Sequence, residues 1–206
     1  MVPFGYAVLE ALNTTFGCET CEELWTPDAP HVEMALGGCE IIGNGSGSHH
    51  QLRKLNTRMD LIGSATSKCG GVYLYANQRG CDGSRLYFDG CSVIVKNGGV
   101  LAQAPQFSVR DVEVVTATVD LDDVRSFRAA VSSMQQQASD MASDQRRAVR
   151  RIPVDKWLGP SADAALLLDC KVAQRCGIAL PTPARRHVTL GARFTAPRRA
   201  PRPRPL

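Results

Sequence analysis

An α/β (α+β) fold is predicted by three features of the sequence. Residues 50–67 carry apolar side chains at helical spacing, which predicts an amphipathic helix. Residues 72–76 and 112–121 have the β-branched, aromatic or alternating composition of strands. Two apolar runs flank Lys96-Asn97-Gly98-Gly99, and Asn-Gly favours the tight turn of a hairpin. The resulting order of strand, helix, strand, hairpin, strand and helix indicates a mixed α/β domain.

The elements before residue 50 are predicted to be short. Pro27 and Pro30 interrupt regular structure, and a short helix is predicted for residues 31–36. Residues 39–42 are predicted to form a buried strand. Residues 43–48, with the sequence Gly-Asn-Gly-Ser-Gly-Ser, are then expected to form a flexible loop.

The helix of residues 50–67 is expected to bury one apolar face and to end at Gly70-Gly71. Charged residues, Arg58 among them, lie largely on its other faces. The apolar face consists of Leu52, Leu55, Met59 and Ile62.

Residues 112–121 are expected to form a half-buried strand, because Val115, Ala117 and Val119 alternate with polar residues. Asp122 and Asp123 favour a helix start directly afterwards. The apolar stripe of that helix comprises Val124, Phe127, Val131 and Met134.

Charge divides the chain into an acidic body and a basic tail. No acidic residue follows Asp169, while residues 170–206 hold nine of the 24 lysines and arginines. The body has no basic excess, so a nucleic-acid partner is not expected. Residues 185–206 are rich in arginine and proline and poor in apolar residues, which predicts a disordered tail. Its prolines form no clean P-x-x-P motif, so a functionless tail is favoured over an SH3 ligand.

The sequence predicts a cytoplasmic protein without a membrane partner. The N-terminal residues lack the charged and apolar regions of a secretory signal. Nowhere do 18 apolar residues run together, as a membrane-spanning helix requires. The eight cysteines are therefore expected to be reduced thiols.

Cys21 is the residue that most suggests chemistry. A cysteine is a nucleophile only as its thiolate, and the first lysine or arginine of the chain is Arg53. An activating base and cation must therefore come from a distant part of the fold or from outside the chain. The alternative is a small buried hydrophobe in a strand-to-helix turn. Three nearby acidic residues disfavour the anion, namely Glu19, Glu22 and Glu23.

Four segments, in order, resemble the carbon–nitrogen hydrolase (nitrilase) superfamily, and within it the glutaminase domains of eukaryotic glutamine-dependent NAD synthetases. They are residues 19–27 (ETCEELWTP), 46–54 (SGSHHQLRK), 76–83 (ANQRGCDG) and 86–90 (LYFDG). The match runs from about residue 2 to about residue 133.

The resemblance implies part of the nitrilase-type four-layer α-β-β-α sandwich. It divides the chain into a partial carbon–nitrogen hydrolase (glutaminase) domain at residues 1–140, a poorly matched extension at 141–184 and the tail at 185–206. The match begins inside the family domain, so the chain is expected to be truncated and inactive by itself.

The resemblance also implies roles for individual residues. Cys21 is the nucleophile that attacks the carboxamide carbon of glutamine, releases ammonia and leaves a glutamyl thioester for water to hydrolyse. Glu22, Ser48 and Arg53 are the candidates for binding the α-amino and α-carboxylate groups. The alternative makes Arg53 a solvated helix residue and Ser48 a loop filler.

The family's base glutamate and oxyanion lysine have no counterpart at matching positions of this sequence. Glu10 and Lys54 are residues of the right type away from those positions, and neither is assigned the role. The phosphate loop of the synthetase domain is also absent from the sequence. ATP and Mg²⁺ are therefore expected to serve that domain, and the glutaminase part is expected to need no cofactor.

No metal site is predicted. Cys18 and Cys21, with Cys39 and the pair His49-His50, suggest zinc ligands, but the second pair lacks the close spacing of structural zinc sites.

Three hypotheses remain open. The first is the ammonia-supplying glutamine amidohydrolase part of a glutamine-dependent NAD synthetase, with glutamine as substrate and homo-oligomers with full-length subunits. The second is a non-catalytic truncated isoform that binds or modulates those subunits. The third is a free-standing amidase that uses other residues for catalysis.

Overall fold

The computed structural model describes residues 7–143, 149–158 and 187–195. In chain order the strands are β1 (Ala7–Glu10), β2 (Thr15–Thr20), β3 (Ile41–Ser46), β4 (Val72–Asn77), β5 (Arg79–Cys81), β6 (Tyr87–Asp89), β7 (Val93–Lys96), β8 (Gly99–Gln103), β9 (Val112–Asp120), β10 (Arg150–Pro153) and β11 (His187–Thr195). The helices are α1 (Pro30–Leu36), α2 (Lys54–Cys69), α3 (Leu121–Ala130) and α4 (Ser132–Ser143), and a short 3-10 helix spans Cys21–Trp25.

Seven of the strands form one mixed sheet with the order β10-β1-β2-β3-β4-β7-β8. β2, β3 and β4 are parallel neighbours in its centre, and β7 and β8 extend it as an antiparallel hairpin. Two smaller pairs, β5–β6 and β9–β11, lie outside this sheet. The predicted α/β fold is confirmed.

The central strands of the sheet are covered on both faces, and successive side chains of each strand point to opposite faces. On one face the side chains of Tyr73 and Tyr75 pack with Met34 of α1 and Ile62 of α2. On the other face a second cluster is formed by Ile41, Val72, Ile94, Val119, Leu121 and Val124, which brings in β9 and α3. The central strands are therefore buried on both sides, as parallel strands usually are.

The predicted hairpin is confirmed between β7 and β8. Asn97 and Gly98 both have positive φ angles, 49° and 86°. Two consecutive left-handed residues give the turn whose twist matches that of the flanking strands.

The glycine-rich segment predicted to be a flexible loop is largely strand. Residues 43–46 complete β3, which pairs with β2 on one side and β4 on the other. Gly43 allows a close approach, since a Cβ atom there would lie 3.0 Å from the Phe16 ring. Pairing on both edges outweighs the low strand propensity of glycine, which is why the prediction for these residues was wrong.

The predicted face of α2 is correct in part. Ile62 is fully buried, while Leu55 and Met59 are half-buried. Leu52 is 90% exposed, so its predicted burial was wrong. The helix starts only at Lys54, because Arg53 has a left-handed backbone with φ 67°, and Leu52 therefore lies before the helix.

The predicted stripe after β9 is shared between two helices. Asp120 caps α3 by accepting a hydrogen bond from the Asp122 amide, so the cap lies just before the predicted acidic pair. Val124 is fully buried and Phe127 half-buried. Val131 breaks the helix, and Met134 belongs to α4.

Residues from beyond the predicted domain boundary at 140 also pair with strands of the body. β10 lies parallel to β1 at the edge of the main sheet, and β11 pairs with β9 along nine residues. The tail prediction for residues 185–206 therefore differs from the structure over His187–Thr195, where Val188, Leu190 and Phe194 occupy alternate positions typical of a strand. The other residues of the predicted tail lie outside the described residues.

Replacing Ile62 with alanine is expected to lower the free energy of unfolding by about 2–4 kcal/mol, because it opens a cavity in the cluster between α2 and the sheet. Leu52→Ala is the matched control and is expected to change stability by less than about 0.5 kcal/mol, since Leu52 is solvent-exposed. Urea denaturation of the two variants makes the comparison. Equal losses for both would show that α2 does not pack as described.

Candidate active site

Cys21 lies at a sharp turn directly after β2. Its backbone is left-handed, with φ 45°, a conformation that is uncommon for residues other than glycine. The Thr20 amide donates to Glu23 Oε2 at 2.5 Å, which anchors the start of the 3-10 helix. Backbone strain of this kind clusters at functional sites, where the surrounding structure holds it in place.

Asn44 of β3 holds the backbone of Cys21. The Cys21 amide donates to Asn44 Oδ1 at 3.0 Å, and Asn44 Nδ2 donates to the Tyr73 hydroxyl at 2.9 Å. Tyr73 in turn donates to the Glu19 carboxylate. Buried side chains of β2, β3 and β4 thus fix the backbone amide of Cys21; they are Glu19, Asn44 and Tyr73.

Glu19 is buried under the turn and does not line the pocket described below. Its carboxylate accepts from the His31 amide at 2.9 Å and lies 3.1 Å from His31 Nδ1. Burial raises the pKa of the Glu19 carboxyl, but the hydrogen bonds from His31 and Tyr73 outweigh it and lower the pKa overall. The sequence suggested only that Glu19 disfavours the thiolate, and its structural role was missed because its partners are distant in the chain.

All four residues predicted for the site line one pocket of about 630 Å³. Cys21 and Glu22 enter from the 3-10 helix, Ser48 from the loop after β3, and Arg53 from the residue before α2. Arg53 is exposed in this pocket, whereas Ser48 is buried at its wall. Further lining comes from Trp25, Gly47, His49, Gln51, Leu52, Lys54 and Thr57.

Asn77, at the end of β4, holds the loop that carries Ser48. Its Oδ1 accepts from the Ser48 amide at 2.9 Å, and its Nδ2 donates to the Ser48 carbonyl at 3.1 Å. Within the described residues the buried Ser48 hydroxyl forms no well-aligned hydrogen bond. Burial raises the pKa of the nearby Tyr75 phenol, and the Ser48 hydroxyl offsets part of that rise. The loop is thus fixed through its backbone, which leaves the Ser48 hydroxyl as a candidate ligand contact.

A buried ion pair stabilises the loop that carries Ser48, because it is hydrogen-bonded to Asn77. Arg58 of α2 is fully buried, and its Nη2 donates to Asp89 Oδ1 at 3.1 Å. Asp89 also accepts from Asn77 Nδ2 at 3.2 Å and from Gln106 Nε2 at 2.8 Å. The prediction that Arg58 lies outside the buried face was therefore wrong. A signal in the sequence was the charged Asp89, which directly follows the apolar run Leu86-Tyr87-Phe88.

Lys54 places a cation in the pocket. Its Nζ donates to the His49 carbonyl at 3.2 Å and lies 5.5 Å from the centroid of the Trp25 ring. The pKa of the Lys54 ammonium is lowered overall, because partial burial and the nearby Arg58 outweigh the opposing effect of negative charge at Cys21 and Asp89. Lys54 and Cys21 line the same pocket, so a cation from a distant part of the chain lies near this thiol.

In the described part of the chain, no group of three or more histidine, cysteine, aspartate or glutamate side chains is arranged to hold a metal ion. Within the same residues, no helix has the length and apolar character needed to cross a membrane.

The sequence that forms this turn, pocket and sheet matches a known family. The carbon–nitrogen hydrolase family model matches residues 2–129, and the chain belongs to that family. The chain is also similar to the glutamine-dependent NAD(+) synthetases of Saccharomyces cerevisiae, at 66% identity over 139 residues, and of Homo sapiens, at 62% over 138 residues. These alignments cover 68% and 67% of this chain, which confirms the resemblance predicted from the sequence.

The chain spans about one fifth of the length of these two relatives, since the alignments cover 20% of each. A solved structure gives the same fold. Nit3 of Saccharomyces cerevisiae, a member of branch 10 of the nitrilase superfamily, superposes with a TM-score of 0.51 at 21% identity. That superposition covers 60% of this chain and 44% of Nit3.

Proposed function

We propose that this chain supplies the cysteine nucleophile and the substrate-recognition residues of a glutamine amidohydrolase site in an enzyme of the glutamine-dependent NAD synthetase type. The observation that carries the proposal is the pocket in which Cys21, at its strained turn, faces Glu22, Ser48 and Arg53. A thiol, a carboxylate, a hydroxyl and a guanidinium are the groups that an amino-acid amide requires.

The proposed chemistry assigns one task to each of these residues. The Cys21 thiolate attacks the carboxamide carbon, the C–N bond breaks, and ammonia leaves with a proton from a general acid. Water then hydrolyses the glutamyl thioester and regenerates the thiol. Glu22 pairs with the α-ammonium group and Arg53 with the α-carboxylate, while Ser48 donates its hydroxyl to the bound amino acid.

The remaining tasks belong to the whole enzyme. A base and an oxyanion donor complete the site, and the resemblance assigns them to a glutamate and a lysine outside the matched positions of this chain. In the complete enzyme, ATP and Mg²⁺ serve the amidation of deamido-NAD by the released ammonia. The proposal includes a cytoplasmic location and homo-oligomers with full-length subunits.

A second candidate function is favoured by exposed apolar side chains on β8 and β9. Val100 is 50% exposed, Val112 42% and Val114 52%. Such side chains favour a contact with another protein surface. In this alternative the chain is a non-catalytic isoform that binds or modulates full-length subunits.

Covalent labelling tests the glutamine site without requiring turnover. We expect the diazoketone analogue of glutamine to alkylate Cys21, because protonation of the diazo carbon and displacement of N₂ by sulfur leave a stable thioether. Glutamine is expected to protect, and Arg53→Gln to slow labelling at least about tenfold, since it removes the charge-assisted pair with the α-carboxylate. Mass spectrometry of the modified peptide provides the measurement.

Cys18→Ala is the matched control, because Cys18 is an exposed thiol three residues away that does not line the pocket. It is expected to be labelled at Cys21 as fast as the unchanged chain. Labelling that is unaffected by glutamine, or that occurs equally at Cys18, would contradict a glutamine site and favour the non-catalytic alternative.

A further inference from the structure

A chain of two hydroxyl groups ends on the Cys21 sulfur. The Tyr75 hydroxyl donates to Ser46 Oγ at 2.7 Å, and Ser46 Oγ donates to Cys21 Sγ at 3.4 Å. Ser46 is the last residue of β3, and Tyr75 lies on the neighbouring strand β4. Both side chains are buried, with Tyr75 at 0% and Ser46 at 9% exposure.

The direction of these hydrogen bonds suits a thiolate. An anionic sulfur only accepts, so the single proton of Ser46 must point towards it, and Ser46 Oγ then accepts from Tyr75. Tyr75 keeps its proton, because burial raises the pKa of its phenol and negative charge on Cys21 raises it further. The guanidinium of Arg58, 5.3 Å from the centroid of the Tyr75 ring, acts in the opposite sense and makes the phenol a stronger donor.

Several charged or titratable groups face Cys21 besides this chain of hydroxyls. They come from its own turn, from the loop after β3 and from the start of α2, and they are Glu22, His49, Arg53 and Lys54. Glu22 opposes an anion and the two cations favour it. Ser46 differs from these four residues because its hydroxyl donates a hydrogen bond to the Cys21 sulfur.

We propose that Ser46 is a catalytic residue that stabilises the Cys21 thiolate by hydrogen bonding, and that Tyr75 is a positioning residue that holds the Ser46 hydroxyl in its donating orientation. The inference rests on the proposed function in that it takes Cys21 as the nucleophile. It adds a source of thiolate stabilisation within the chain, in a site whose acidic neighbours work against the anion.

The pH dependence of Cys21 alkylation by iodoacetamide tests this inference. The attacking species is the thiolate, so the rate rises with pH to a plateau. In Ser46→Ala we expect the midpoint of that rise to move upward by about one pH unit, and the rate well below the midpoint to fall up to about tenfold. The plateau rate is expected to stay the same or to rise slightly, since a less stabilised thiolate is more nucleophilic.

Tyr75→Phe is expected to shift the midpoint in the same direction but by less, because Ser46 keeps its proton and loses only its fixed orientation. Cleavage at Glu19 and Glu22 separates Cys21 from Cys18, so mass spectrometry assigns the modified thiol. The matched control is Ser92→Ala, which removes another buried hydroxyl whose partner is the Asn77 amide. We expect no shift in that control.

An unchanged midpoint in Ser46→Ala would overturn the inference, as would an equal shift in Ser92→Ala. A lower plateau without a shift would also overturn it, since that result indicates changed access to the thiol. The assay contains no glutamine, so its outcome is independent of whether the pocket binds glutamine. If the diazoketone does not label Cys21 but the midpoint shifts upward in Ser46→Ala, the result supports thiolate stabilisation by Ser46 and contradicts glutamine as the substrate.

Discussion

Cys21→Ala is expected to lower glutamine hydrolysis by about 10⁴-fold or more when the chain is assembled with a segment that supplies a base and an oxyanion lysine. The reason is that no covalent thioester forms without the sulfur, so the remaining residues only bind the substrate. Ammonia release measures the loss. Cys18→Ala, in the same assembly, is expected to keep activity within about twofold, since this thiol lies outside the pocket.

A polypeptide of these 206 residues, expressed by itself, is expected to release ammonia orders of magnitude more slowly than an intact glutaminase domain. Groups that act as a unit lose most of their effect when one member is missing, and the resemblance assigns the base and the lysine to positions outside the match. Turnover close to that of an intact domain, abolished in Cys21→Ala, would refute this expectation. Glu10 or Lys54 would then become the candidates for the missing roles.

Asp89→Ala is expected to destabilise the fold by about 3–5 kcal/mol, the cost of leaving a buried charge without its partner. Arg58 is fully buried, and its guanidinium is held by Asp89 and by the Gly90 carbonyl at 3.3 Å. Asn77 and Gln106 also lose an acceptor in this variant. The free energy of unfolding in urea measures the loss.

Glu10→Ala is the matched control for an ion pair in solvent. Glu10 pairs with Arg151 at 2.6 Å, but both side chains are more than 40% exposed. Its loss is expected to cost less than about 1 kcal/mol, because water screens the pair. Similar losses for Asp89→Ala and Glu10→Ala would contradict the burial of Arg58.

Loss of Asp89 is also expected to affect the pocket that Cys21 and Ser48 line. Asn77 connects the Asp89 carboxylate to the backbone of Ser48 through hydrogen bonds on both sides. The buried ion pair of Arg58 and Asp89 therefore stabilises the loop that carries Ser48. In the urea experiment, this link predicts that Cys21 of Asp89→Ala is alkylated at a changed rate at urea concentrations below those of global unfolding, whereas the rate in Glu10→Ala stays that of the unchanged chain.

Local patterns in the sequence were sufficient where each residue's environment depends on near neighbours. The Asn97-Gly98 hairpin and the strand at Val72–Asn77 follow from turn chemistry and β-branched or aromatic composition. The segments that resemble the family contain Cys21, Glu22, Ser48 and Arg53, and all four line the pocket. These residues lie close together because they follow β2 and β3, which are parallel strands whose carboxyl ends meet at the same edge of the sheet.

Only the tertiary structure decided which polar residues are buried and what they support. Periodicity places Arg58 on a helix face, but its burial depends on Asp89, which lies 31 residues further along the chain. The glycines of β3 favour a loop in the sequence, but the segment is a strand because it pairs with β2 on one edge and with β4 on the other. The hydrogen bonds from Tyr75 through Ser46 to Cys21 join residues that are 25 and 29 positions apart. Composition and spacing describe neighbours along the chain, whereas a buried polar group is stable only with partners that folding brings to it.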